Sequence, residues 1–366
     1  TPEELHLFLE DAHANEQNVL LDYVANHVHE LHPVYQKHPN WATNKYTEDG
    51  RLNTQLWDEE RLTTWFDTFM PTLELRNDTV ADLMSDSALV WITEYDFDGF
   101  RHDATKHIPM NFTRLLTQKI RTASDNHIYQ IGETYGSDEL IASYVGSGKV
   151  DAQFNFNLYD AAFEAFTQEG ATFDRLRKAL ESSLTYYGHH HLMGNISGNQ
   201  DKPRFSSMAS GHLSMSEDSK LAGWTREIPE PTERGYRKMA AMHAFNIAVP
   251  GIPILYYGDE IALHGGNDPD NRKMMPFDFS PRQQQLFDRI ARLNENRTNI
   301  MALNYGSTTV HQPEPHLLII VRKYMEQEVR FFFNNSNEDR YLEEWDITVP
   351  ADGEIYQTRN CGQFNQ

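Results

Sequence analysis

Apolar positions along the chain follow two alternating rhythms, one at helical spacing and one in short continuous runs. Residues 3–14 carry apolar side chains at helical spacing. After a polar break, the run from Val19 to Val24 predicts a strand buried on both faces. From His29 to about Arg61 the chain is polar and aromatic-bearing with no strong period. That stretch, at about 28–61, reads as an excursion between a strand and its helix. The alternation resumes with a helix over 79–95, a strand over 97–100, a helix over 111–123, a strand over 128–132 and a helix over 138–145. A short apolar run at 154–156, a helix over 173–186 and a strand near 191–194 follow. A helix over 234–248, a strand over 253–257 and a helix at about 282–295 complete the series.

Strands that alternate with helices predict a parallel sheet. The tail differs, because Leu317–Val321 and Val329–Asn335 are β-rich and separated by turns without helices. The expected organisation is therefore an α/β domain over 1–300 and a small antiparallel β domain over 301–366. No internal repeat or low-complexity segment interrupts it.

Bulk composition narrows the partners. With 32 basic and 54 acidic residues the formal net charge is −22, a field that repels nucleic acid and anionic membrane and suits a neutral substrate or a cation. Hydrophobic residues make up 39% of the chain, and no apolar run is long enough to span a bilayer. One cysteine, Cys361, excludes an intrachain disulfide framework and leaves the compartment undecided.

The polar residues that close the strands carry the chemistry. Phe97-Asp-Gly-Phe-Arg101-His-Asp103, Ile128-Tyr-Gln-Ile-Gly-Glu133 and Gly198-Asn-Gln-Asp201-Lys-Pro-Arg204 each place a carboxylate at or just past a strand end. In a closed (β/α) barrel the carboxyl ends of all strands open on one mouth. A carboxylate nucleophile, a carboxylic acid donor and a third acid as stabiliser are what retaining glycoside cleavage requires. Arg101 and Asp103 are two apart, so along a strand both point to the same face. Each residue alone has a plainer meaning, since a lone strand-end Asp or Glu is more often a solvated or ion-paired group. His189-His190-His191 suggests zinc, but successive strand residues alternate faces, which argues against a shared ligand set.

Asp22-Tyr-Val-Ala-Asn26-His27, Gly99-Phe-Arg101-His-Asp103-Ala-Thr-Lys106-His107, Gly132-Glu133 and Asn199-Gln200-Asp201 resemble, in order, the four signature regions of the α-amylase family of glycoside hydrolases. Gly251–Glu260 and the Gly266-Asn-Asp-Pro-Asp-Asn-Arg272 loop extend the resemblance. It implies a (β/α)8 TIM barrel followed by a C-terminal antiparallel β-sandwich. Asp22–His27 matches the third barrel strand, so the first two strands are apparently missing from this chain and the third to eighth are expected. By the same resemblance Asp103 is the nucleophile, Glu133 the general acid and then base, and Asp201 the third acid. His27, Arg101, Lys106, His107, Gln200 and Arg204 are expected substrate contacts. Asn26 matches a calcium ligand of many members, and no organic cofactor is expected. Gln200 departs from the family, which has histidine there. Glutamine can still donate a hydrogen bond, without positive charge.

The expected activity is retaining hydrolysis of α-1,4 links in starch or maltodextrins, on an α-glucan or maltooligosaccharide substrate. A cyclomaltodextrinase, a neopullulanase or a transglycosylase of the same family is the alternative. A non-catalytic carbohydrate-binding relative is the rival from another class, opposed by the presence of all three acids. Export to the periplasm or outside the cell is the favoured compartment.

Overall fold

A computed structural model of the chain describes residues 1–360 and 363–365; Cys361 lies outside the described residues. The chain packs as two compact units, Thr1–Phe154 and Asn155–Gln366.

In the first unit the order is Pro2–Ala14 (α1), Leu20–Tyr23 (β1), Pro33–Lys37 (α2), Asp78–Thr93 (α3), Gly99–His102 (β2), Met110–Ala123 (α4), Tyr129–Gly132 (β3), Asp138–Ser143 (α5) and Ala152–Gln153 (β4). The strands form one parallel sheet in the order β1-β2-β3-β4. Asn77 opens α3 by accepting from the amides of Thr79 and Val80, as a good N-cap does. Phe112, Leu116 and Ile120 form the apolar stripe of α4, in one core with Val80, Ala88 and Phe100. Strand β1 is not buried on both faces as its run predicts. Leu20 and Leu21 are half-buried and Asp22 is exposed, since β1 pairs on one side only among the described residues. The predicted strand over 97–100 lies two residues later, at 99–102, which brings Arg101 onto it.

The excursion runs past Arg61. Bridges His27↔Thr72 and Ala42↔Leu73 fold it back on itself, and Trp65, buried, donates from its indole nitrogen to the carbonyl of Thr43 at 3.1 Å.

The second unit begins with Phe156–Thr167 (α6), Asp174–Tyr187 (α7), Gly194–Ile196 (β5), Phe205–Ala209 (α8), Ser219–Thr225 (α9), Glu233–Ala248 (α10), Ile252–Ile254 (β6), Pro281–Asn299 (α11) and Met301–Tyr305 (α12). β5 and β6 pair in parallel. Helix α6, not among the expected elements, buries Leu158, Tyr159, Ala161, Ala162, Phe163 and Phe166 and keeps only a narrow polar stripe at Asn157, Asp160 and Glu164. The apolar run at 154–156 leads into this helix. The strand expected near 191–194 lies at 194–196, with His189 and His191 in the irregular segment before it; among the described residues no group of three metal-ligating side chains forms.

The chain then runs through Ser307–Glu314 (β7), Leu317–Tyr324 (β8), Gln327–Asn334 (β9), Arg340–Leu342 (β10), Ile347–Val349 (β11), Gly353–Asn360 (β12) and Gln363–Asn365 (β13). An antiparallel sheet of order β13-β12-β9-β8-β7 is covered by the β10–β11 pair, whose Ile347 and Val349 pack on Ile319 and Phe332. This is the expected C-terminal sandwich.

Two arginines hold this unit together without a carboxylate. Arg322 donates to the carbonyls of Ala248 and Gly306, at 3.0 and 3.1 Å. Arg297 donates to those of Ile247, Val249, Leu303 and Gly251. The carbonyls at the C-terminal end of α10, where the helix dipole is negative, serve as their counter-charge. Burial lowers Arg297 to about 10 and Arg322 to about 9.

A Cβ on Gly99 would lie 2.1 Å from the carbonyl oxygen of Tyr129. Gly99→Ala must therefore part β2 from β3, and a loss of about 1–3 kcal/mol in urea unfolding is expected, the usual range for overpacking. Unchanged stability would mean that the two backbones approach less closely.

Candidate active site

Register explains how the first unit gathers its charges. Asp22 on β1 sits opposite Arg101 on β2, and His102 sits opposite Gly132 on β3. The next residues, Asp103 and Glu133, therefore leave neighbouring parallel strands side by side, a strand spacing of roughly 4.8 Å apart at the backbone. Arg101 Nη1 contacts Asp22 Oδ1 and Asp103 Oδ1, each at 2.7 Å, and its Nη2 contacts Glu133 Oε2 at 2.8 Å. One rigid guanidinium thus spans both expected catalytic acids. Its fork limits their bonded oxygens to at most about 8 Å apart, a bound that includes the roughly 5–5.5 Å of retaining cleavage.

Burial by itself would lower the basicity of Arg101. The charges of Glu133, Asp103 and Asp22 outweigh it, and its pKa is raised. Its side chain is 15% exposed, against 24% for Asp103 and 13% for Glu133. The three groups are thus partly exposed rather than sealed in the core.

The backbone is fitted closely around them. Ala104 follows Asp103 in the left-handed region, at φ 49°, and its amide donates to Glu133 Oε2 at 3.2 Å. A left-handed alanine is a strained choice of the kind that gathers at functional sites. A Cβ at Gly132 would lie 2.7 Å from Thr105 Oγ1, so glycine lets the Glu133 strand approach the turn that carries Asp103. On the opposite face of β2, His102 bonds Gln130 at 3.0 Å, and Gln130 donates to Thr117 of α4 at 3.1 Å.

The excursion supplies a wall that the signature motifs do not reveal. His27 stacks on Phe66 with ring centres 4.1 Å apart, and Trp57 and His107 pack edge-on against the same ring. His107 Nδ1 meets the carbonyl of Arg61 at 2.7 Å. Lys106 Nζ pairs with exposed Asp58 at 2.5 Å, a contact that lowers the Asp58 pKa. Lys106 and His107 are both buried, so each ties the strand end to the excursion rather than standing open to a ligand. Burial lowers His27, against the opposing charge of Asp103. Burial also takes His102 and His107 to about 4.

Asn26 is fully buried, and its Oδ1 accepts no hydrogen bond, an oxygen of the kind calcium takes. Calcium needs about six to eight oxygens, and among the described residues no group of three or more His, Cys, Asp or Glu is placed to hold a metal ion. Asn26 thus meets that requirement only in part, and no step below is routed through a metal.

In the second unit the loop after β5 carries Gln200 and Asp201. Gln200 Nε2 donates to Asp201 Oδ2 at 3.0 Å, and the Asp201 amide donates to Asn199 Oδ1 at 3.0 Å. Asn271 Nδ2 donates to the carbonyls of Gln200 and Lys202, at 2.9 and 2.8 Å. Arg272 lies 3.6 Å from Asp201 Oδ1 and pairs with Asp268 at 2.9 Å. The side chain of Asp201 is 54% exposed.

Arg204 corrects the sequence reading. Expected as a substrate contact, it is 2% exposed, paired with Asp259 at 3.0 Å and stacked on Tyr256. It donates to the carbonyls of Asn271 and Tyr257, so it braces the loop from within. Burial raises Asp259 to about 6 despite that partner. Asp22, Asp58, Trp57, Phe66 and Arg272 were absent from the expected site. Asp22 and Arg272 lie inside the quoted motifs and were legible there; the excursion residues carry no periodic or motif signal.

The chain belongs to the α-amylase family: the model of the α-amylase catalytic domain matches residues 1–301. It is 27% identical over 347 residues to a cyclomaltodextrinase of Geobacillus thermopakistaniensis, across 92% of this chain and 54% of that protein. An intracellular maltogenic amylase of Bacillus subtilis is 23% identical over 359 residues, across 97% and 57%. The chain thus spans about half the length of these curated relatives. Among solved structures, an α-amylase from Geobacillus thermoleovorans complexed with acarbose matches with a TM-score of 0.81 at 23% identity, covering 99% of this chain and 81% of that one. The likeness establishes the barrel-and-sandwich fold.

The buried histidines give a pH dependence with a definite sign. His102 and His107 stay neutral to about pH 4 when folded, whereas unfolded histidines protonate near 6.5. Their stabilising contribution is complete above about pH 6.5 and is lost as pH falls toward 4, by up to about 1.4 kcal/mol per unit for each. Urea unfolding at pH 7, 6 and 5 should show the decline, and His102→Gln should make it shallower. An equal slope in that variant would remove His102 as a source.

Proposed function

We propose that this chain carries the catalytic machinery of a retaining enzyme acting on α-glucans. The observation that carries it is the Arg101 guanidinium shared by Asp103 and Glu133. Asp103 attacks the anomeric carbon while Glu133 gives its proton to the departing oxygen. Glu133 then takes a proton from water, which releases the glycosyl group from Asp103. Arg101 holds both acids in place throughout. Asp201, which the family resemblance makes the third acid, lies in the second unit with Arg272 3.6 Å from it.

The sequence favours α-1,4 cleavage of starch-like chains. The names of the relatives, a cyclomaltodextrinase and a maltogenic amylase, support cyclodextrins and maltodextrins as the preferred substrates within the same chemistry. Reducing-sugar release from β-cyclodextrin, pullulan and soluble starch separates these readings. Faster turnover of cyclodextrin is the expected result, and exclusive action on starch would return the assignment to an α-amylase.

Asp103→Asn in the full chain should abolish turnover with little change in fold, since the swap is nearly isosteric. Glu133→Gln should be almost as severe, with partial recovery on substrates whose leaving group needs no protonation. Near-normal kcat in Asp103→Asn would remove the nucleophile.

Gln200 already spends its amide on Asp201. Gln200→His should raise kcat/KM by tenfold at most, since charged hydrogen bonds contribute ~1.5–3 kcal/mol against ~1 for neutral ones. Gln200→Ala should lower it without altering the anomeric configuration of the product. An alanine variant as active as the parent would show that residue 200 makes no useful contact.

A further inference from the structure

Within the second unit, α10, α11 and the turn that follows β11 enclose a cavity of about 240 Å³. Glu233, Tyr236, Arg237 and Ala240 reach it from α10, at the spacing that gathers one helix face. Arg282, Gln285, Leu286 and Arg289 reach it from α11 at the same spacing. Pro350, Gly353 and Glu354 close the third side. The volume equals that of roughly eight waters at about 30 Å³ each, which suits a small ligand.

Unspent donors dominate this lining. The Glu354 carboxylate accepts from Arg289 Nε and Nη2, at 2.8 and 2.5 Å, and Arg282 Nε pairs with Glu233 at 3.0 Å. Nη1 of Arg289 and both Nη atoms of Arg282 remain unbonded among the described residues. The exposed Arg237 guanidinium, the Tyr236 hydroxyl and the Gln285 side-chain amide also have no hydrogen bond there. Three guanidinium groups thus face two carboxylates, a surplus of one positive charge in a chain of net charge −22. Asp352, in the same turn as Gly353, is shared by Arg234 and Lys238 and does not offset that surplus.

The apolar part of the wall narrows the ligand further. Ala240 and Leu286 are buried beside the Tyr236 ring and Pro350. A cation would be repelled, and a neutral molecule would leave the surplus charge unmatched. An inorganic oxyanion would use the guanidinium groups but leave the apolar side chains facing water. A carboxylate fits the planar guanidinium fork through two parallel N–H···O bonds, and a hydrocarbon body covers the rest.

We propose that this cavity binds a small organic carboxylate with an apolar body, the carboxylate at Arg237 and Arg282 and the body against Leu286 and Ala240. Because two helices and the turn before β12 each supply a wall, the bound ligand ties α10 and α11 to the sandwich. The site stands apart from the glucan chemistry and does not depend on it.

Benzoate is the probe, titrated calorimetrically into the full chain at about pH 7, where carboxylate and guanidinium are both charged. One site per chain with a Kd on the order of 1 mM is expected. Benzyl alcohol and benzamidine, its neutral and cationic counterparts, should bind at least about tenfold more weakly, as should inorganic phosphate. Arg237→Gln and Arg282→Gln, both at exposed positions, should each weaken benzoate by about tenfold, the scale of one charged hydrogen bond. Circular-dichroism melting checks that both variants are folded. A parent chain that does not bind benzoate overturns the proposal. So does benzyl alcohol or phosphate binding as tightly as benzoate, or unchanged benzoate affinity in either variant.

Discussion

The first unit is organised around one guanidinium. Arg101 is reached by carboxylates from the ends of β1, β2 and β3. Three carboxylates gathered at one sheet end repel each other, most strongly the two that are largely buried, Asp103 and Glu133. Without Arg101 that sheet end would have to admit water, take up protons or spread its strands. The parallel register that sets Asp22 opposite Arg101 is therefore as much an electrostatic requirement as a hydrogen-bonding one.

The same requirement explains why the backbone beyond β2 and β3 is so closely fitted. Asp103 must leave its strand at the level of Glu133, and the chain must then turn at once so that Lys106 and His107 meet the excursion. Left-handed Ala104 makes that turn, and Gly132 gives it room. The excursion answers with Asp58 for Lys106, the Arg61 carbonyl for His107, and the Phe66 and Trp57 rings for the imidazoles. Burying these histidines as neutral rings links the order of the excursion to pH.

The second unit solves a parallel problem with different means. Its exposed acid, Asp201, sits on a loop braced from below by a buried arginine and from the side by an asparagine amide. Arg204 spends its donors on backbone carbonyls and Asp259, which braces the loop from within the protein. Arg297 and Arg322 repeat the device at the end of α10. In a chain of net charge −22, buried Arg204 and Arg322 and half-buried Arg297 all donate to backbone carbonyls, whereas buried Lys238 pairs with Asp352.

How much of this could be read from the chain alone follows from the range of each interaction. Alternating helices and short apolar runs, the antiparallel tail and the acids at strand ends are local, and the sequence carries them through period and motif. Arg101 and Asp103 were legible as a pair because strand geometry places residues two apart on one face, whereas Glu133 and the roles of the acids followed from the family resemblance. Helix α6 was not: its polar stripe narrows to Asn157, Asp160 and Glu164, and the aromatic run at its start reads equally as a strand. The strand ends shifted by two or three residues, since hydrogen-bonding neighbours rather than apolar runs decide where pairing stops. Only the tertiary structure decided that Arg204 is a brace, that Lys106 answers to Asp58, and that Trp57 and Phe66 pack against His107. Those partners lie about 40 to 60 positions apart, and nothing in the local pattern of either partner announces the other.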